Sequence, residues 1–152
     1  MISDAEHRAL GVSTFNHCWD LLEQPSTSER NEELLTNAFT SLYHWRFVAT
    51  PKELAIGEWM VARAAAEGGW SDLALTYMNR SSERLSTFDA PDWLVASTSE
   101  GFARVYLLGG QLDEARIWFE RARQQVASIA SEGERAVIAS QVEELSALIA
   151  PA

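Results

Sequence analysis

The sequence predicts an all-α fold, built as a right-handed αα-hairpin solenoid of about seven helices closed by a C-terminal capping helix. Three observations predict it: helix-start signals recur along the chain, two Gly-Gly pairs separate helical patterns, and one stretch of about 27 residues repeats further on. No segment shows convincing strand alternation.

Capping-box spacing at Ser26-x-x-Glu29, Thr50-Pro-x-Glu53 and Ser131-x-x-Glu134 marks helix starts, and Pro51 and Pro91 stand where a first helical turn accepts proline. Gly68-Gly69 and Gly109-Gly110 each end one pattern and precede the next, as residues that adopt left-handed conformations cheaply should. Read this way, the helices cover residues 4–24, 27–49, 51–67, 72–86, 91–108, 112–130 and 132–149. The period is clearest in Leu112, Ala115, Phe119, Ala122, Val126 and Ile129, and again in Ile138, Val142, Leu145 and Ile149. The predicted organisation is one domain over 1–152, with hairpins at about 4–49, 51–86 and 91–130 and a capping helix at 132–149.

The repeat appears when Trp59–Leu85 is laid over Glu100–Val126 at an offset of about 41 residues. Identities fall at Ala62/Ala103, Arg63/Arg104, Gly68/Gly109, Gly69/Gly110, Asp72/Asp113, Ala74/Ala115 and Arg80/Arg121. Small residues at fixed distances from the turn let the helices of a hairpin, and adjacent hairpins, approach closely.

Bulk composition limits the function classes. With 152 residues, 47% of them hydrophobic, the chain can bury a sizeable core, and four Pro argue against a loop-dominated scaffold. A net charge of −10 without any Lys/Arg run opposes phosphate backbones, so neither nucleic acid nor an anionic membrane is expected as a partner. The N-terminus lacks an apolar signal region and no stretch is apolar enough to span a bilayer, so the expected location is cytoplasmic. Cys18, the one cysteine, cannot form an internal disulfide and reads as a packed small residue. His7, His17 and His44 show no one-turn spacing, so no metal site is expected, and no cofactor is implied. Gly-rich phosphate loops and nucleophile elbows are absent from the sequence.

Gly110-x-Leu112-x-x-Ala115-x-x-x-Phe119-x-x-Ala122, with Ala103 and Tyr106 before it, resembles the tetratricopeptide (TPR) repeat across roughly residues 96–129. The preceding repeat, residues 55–86, departs from the pattern at Ser71 and Ser81, and the first two helices correspond by position alone. The chain is also similar to small bacterial TPR-like proteins that have no assigned reaction. The resemblance implies that the first helix of each hairpin lines a concave groove that holds a protein or peptide. The chaperone-binding carboxylate clamp of the family has no residue-by-residue match here.

On the fifth helix Ser99, Phe102, Ala103 and Tyr106 form a packing stripe, which leaves Ser97, Glu100 and Arg104 on another side. The offset places Trp59 and Arg63 equivalently on the third helix. On the second, Asn37, Ser41 and His44 form a polar line beside Trp45. The expected groove residues are therefore His44, Trp45, Trp59, Arg63, Ser97, Glu100 and Arg104, between the second, third and fifth helices. Arginine forks suit carboxylate or phosphate, and tryptophan adds apolar contact, so the groove would take a protein, a peptide or a small anionic ligand.

Three functions fit. The first is an interaction or ligand-binding module. The second is an enzyme acting on a small anionic substrate, with His44 as acid/base, Arg63 and Arg104 as clamp and Glu100 as orienter. The third is a structural oligomerisation module, in which Glu100 and Arg104 are an i,i+4 ion pair and the tryptophans fill the core. The second helix is apolar on more than one face, with Leu35, Ala38, Leu42 and Trp45 on one and Phe39, Tyr43 and Phe47 on another, which allows a homodimer through the N-terminal hairpin.

Overall fold

A computed structural model describes residues 1–149 of the chain. Among them are seven α-helices, one 3₁₀ turn and no strand. They fall into two compact units, Met1–Phe88 and Asp89–Ala152, the second described as far as Ile149.

The first unit contains α1 (Asp4–Leu22), α2 (Ser28–Val48), α3 (Pro51–Glu67), α4 (Ser71–Arg84) and a 3₁₀ turn over Leu85–Thr87. α1 opens with a reciprocal cap that the sequence reading passed over: the Ser3 N–H donates to Glu6 Oε2 at 2.8 Å, and the Glu6 N–H donates to Ser3 Oγ at 3.3 Å. The Ser3 N–H first, and second the Ser3 hydroxyl, which donates to Glu6 Oε2 at 2.7 Å, hold the Glu6 carboxyl below its ordinary range. α2 starts one residue later than its expected cap. Thr27, not Ser26, accepts the first-turn N–H, from Arg30 at 3.1 Å, and Ser26 instead pairs with Asn31. At α3 the expected box forms, with the Thr50 N–H on Glu53 Oε2 at 2.8 Å.

α1 and α2 cross closely at Gly11. The Trp45 indole lies where a side chain on residue 11 would project, and Ser41 Oγ donates to the Gly11 carbonyl at 2.8 Å. Leu34, Ala38 and Leu42 bury the inner face of α2, and the outer Phe39 meets Tyr77 of α4 edge-on. α3 carries Ala62, Ala64 and Ala65 fully buried, so α4 approaches it through Ala74. Ser81, one of the departures from the repeat motif, is also fully buried. Its hydroxyl donates to the Ala55 carbonyl at 2.7 Å, which makes serine as compatible with this position as alanine.

The second unit contains α5 (Asp92–Leu108), α6 (Leu112–Ala127) and α7 (Glu132–Ile149). Its core has two layers: Ala96, Ala122, Val126, Ile129, Ile138 and Val142 in one, and Ala103, Ala115, Leu145 and Ile149 in the other. α6 ends before the expected residue 130, because Ala130 donates its N–H to Asp92 Oδ2 at 3.1 Å and Arg135 draws on the Ile129 carbonyl at 2.8 Å. These bonds turn the chain back into α7.

The internal repeat is reproduced in backbone geometry. Gly68 and Gly109 close their helices with nearly the same angles, and Gly69 and Gly110 follow at φ 81° and 75°. Trp70 then donates to the Ala65 carbonyl and Gln111 to that of Tyr106, each at 2.9 Å. Positive φ strains any residue with a Cβ, so glycine recurs there. The correspondence extends to side chains: Arg80 lies 4.7 Å over Tyr77, and Arg121 lies 4.3 Å over Trp118.

Candidate functional site

His44 and Trp45 sit on the side of α2 that meets α1. Packing α1 on α2 brings His7, 37 residues away, to His44, with 2.9 Å between their Nδ1 atoms. Both imidazoles are only 8% exposed. One Nδ1 donates and the other accepts, so the bond requires a single proton between them. Phe47 stacks on His7 at 4.1 Å, and Tyr43 meets His44 edge-on at 5.4 Å. Sequence reasoning tested histidines for one-turn spacing and so missed this pair, which is made by helix packing. Among the described residues no group of three His, Cys, Asp or Glu could hold a metal ion.

Trp45 lines a small apolar cleft of about 150 Å³ with Phe15, Glu53, Ile56 and Gly57. Arg8 lies over its ring at 5.6 Å while donating to the Val48 carbonyl at 3.0 Å. Trp59 is buried, with its ring stacked on Trp19 at 5.9 Å.

Arg63 extends toward the C-terminal end of α3, where its Nε lies 3.6 Å from Glu67 Oε1. Glu67 is a hub that sequence reasoning missed. Its other oxygen accepts from the buried Arg30 at 2.8 Å, and its carbonyl accepts from Asn31 at 3.1 Å. The first turn of α2 is thereby tied to the last turn of α3.

In the second unit, α5 is buried on both sides between Ala96 and Ala103, so the side carrying Ser97 and Glu100 is covered as well as the packing stripe. The i,i+4 ion pair is present: Arg104 Nε and Nη2 donate to Glu100 Oε1 at 2.8 and 2.6 Å. Arg104 also approaches Glu144 of α7 at 3.4 Å. Glu100 is 0% exposed, and its Oε2 has no hydrogen-bond partner among the described residues.

The structure thus groups His44 with Trp45, and Glu100 with Arg104, and gives each pair local partners. Cys18 is buried with its Sγ on the Leu34 carbonyl, and burial pushes its thiol pKa up to about 12, which removes thiolate chemistry near neutrality. No helix among the described residues is long and apolar enough to cross a membrane. No family model, curated protein or solved structure matches this chain.

Proposed function

We propose that the chain is a TPR-like helical-repeat module that binds a protein, a peptide or a small anionic ligand. One observation carries this reading: two hairpin turns about 41 residues apart share backbone angles, hydrogen bonds and an arginine-on-aromatic pair. Repeats of this kind serve as scaffolds for recognition, and the inference from fold to function is one of analogy. In the first unit the reading draws on His44, Trp45, Trp59 and Arg63, and in the second on Ser97, Glu100 and Arg104. Catalysis by His44 is the weaker alternative, because its Nδ1 is already engaged by a second imidazole in a nearly closed environment.

The test is a thermal-shift series against small carboxylates, phosphates and acidic peptides, on wild type, Arg63→Ala and Arg104→Ala, since a ligand specific to the native state raises its stability. A shift in wild type that is lost in the variants supports the reading. A panel that shifts none of them, with both variants only melting earlier, refutes ligand binding through these arginines.

A second reading is favoured by Tyr43 and Phe47, which are 53% and 54% exposed and adjacent on α2. This apolar pair suits self-association through the N-terminal hairpin. Light scattering on wild type and Tyr43→Ser/Phe47→Ser tests it, and a monomeric wild type at high micromolar concentration rejects it.

A further inference from the structure

Within the first unit, α2, α3, α4 and the 3₁₀ turn surround a cleft of about 400 Å³ lined by Arg46, Glu58, Arg80, Glu83, Arg84 and Thr87. Three of the chain's twelve Lys and Arg residues converge here, against two carboxylates, on a protein whose net charge is −10. Glu58 is almost fully buried, and both of its oxygens accept from Arg84 Nε at 2.8 Å. That pairing consumes the Glu58 charge and fixes the Arg84 guanidinium, while leaving the terminal nitrogens of Arg84 out of the two bonds.

Arg46 and Arg80 are in a different state. Both are exposed, and neither has a carboxylate partner among the described residues. Arg80 is held over the Tyr77 ring at 4.7 Å, which restrains the side chain without occupying its donors. Most other cations of the chain face a carboxylate, as Arg8, Arg30, Arg63, Arg84, Arg104, Arg116 and Arg123 do. Of the four arginines without a carboxylate partner among the described residues, Arg121 and Arg135 lie elsewhere, while Arg46 and Arg80 share one concave place. Its volume is in the range of small-ligand pockets, and the screening length of about 8 Å at physiological salt insulates it from the acidic remainder of the surface.

We propose that this cleft binds the oxyanion group, phosphate or carboxylate, of a small ligand, with Arg46 and Arg80 as the two forks and Arg84, anchored by Glu58, as the floor. Thr87 Oγ1 is committed to the Arg84 carbonyl at 2.6 Å and helps hold the floor in place. The proposal uses none of the arginines invoked above for the repeat module and stands whether or not that module reading holds.

Isothermal titration with inorganic phosphate and with citrate, at ionic strength held constant with chloride, tests the site and separates the two headgroups. Wild type should bind one of them saturably, and Arg46→Gln or Arg80→Gln should each weaken it roughly tenfold or more. Arg121→Gln is the control, because Arg121 occupies the repeat position of Arg80 and lies over Trp118 in the same way. It should leave binding unchanged. Absence of saturable binding to both probes overturns the proposal. Binding that survives the Arg46→Gln/Arg80→Gln double variant, or that falls equally in Arg121→Gln, overturns it too.

Discussion

Arg104→Ala isolates what the Glu100–Arg104 pair does, because Glu100 is wholly buried and Arg104 is its one hydrogen-bonding partner among the described residues. Removing the guanidinium strands a carboxylate in a low-dielectric site, a change that costs about 3–5 kcal/mol. The loss in Arg104→Ala at pH 7 should fall in that range. Glu144, more than half exposed at 3.4 Å, changes this little. The Glu100→Gln/Arg104→Ala variant leaves no buried charge and should regain most of the loss at pH 7. Urea unfolding of wild type, both single variants and the double variant at pH 7 gives every quantity needed. A cost under about 1 kcal/mol for Arg104→Ala, or a double variant no more stable than Arg104→Ala, would refute the burial of an otherwise unpaired charge.

Two further predictions rest on single residues. With its thiol pKa raised from 9.0 to about 12 by burial, Cys18 at pH 8 should react with iodoacetamide roughly a thousandfold more slowly in the folded chain than in urea, and equal rates would contradict the burial. The same shift has a definite sign for stability: the folded state keeps the proton that the unfolded state loses, so this contribution is complete below pH 9 and is lost between pH 9 and 12, as alkaline unfolding of Cys18→Ala against wild type would show. Gly69→Ala and Gly110→Ala should destabilise by similar amounts, about 1–2 kcal/mol each, because both sites have positive φ and open space around the absent Cβ. Thermal melts that differ widely between the two would deny the equivalence of the turns.

The helices were legible because their signals are local. Thr50, Pro51 and Glu53 start α3 by the chemistry of one turn, and Gly69 and Gly110 end hairpin helices by the absence of a Cβ. The repeat was legible for the same reason, since identical turn residues impose identical turns. Partnerships between helices were not. His7 reaches His44, and Glu67 reaches Arg30, only once α1, α2 and α3 are packed, and no fixed spacing encodes such meetings. Within α5 the sequence correctly paired Glu100 with Arg104 at i,i+4, yet gave no sign that the Glu100 side would be as buried as the stripe of Phe102 and Ala103. A polar face and a buried polar pair have the same periodicity.

What the repeat conserves and what it varies differ in kind. Ala62 and Ala103, Ala74 and Ala115, and the paired glycines keep the helices close, and Arg80 and Arg121 keep an aromatic ring beneath them. Apart from Arg63/Arg104, Asp72/Asp113 and Arg80/Arg121, the charged positions do not repeat. Trp59, stacked on Trp19, stands where Glu100 binds Arg104. At the same offset Glu58 corresponds to Ser99, Glu83 to Gln124 and Arg84 to Gln125, so the arginine-lined cleft of the first unit has no counterpart in the second. The scaffold needs none of those charges, since the second hairpin folds on the same turn and the same alanines without them. A buried carboxylate is costly unless it is paired, and in the first hairpin Arg84 supplies that pairing for Glu58. The Glu58–Arg84 pair is therefore a feature of the first hairpin that the shared turn does not require, and the proposed oxyanion cleft would account for it.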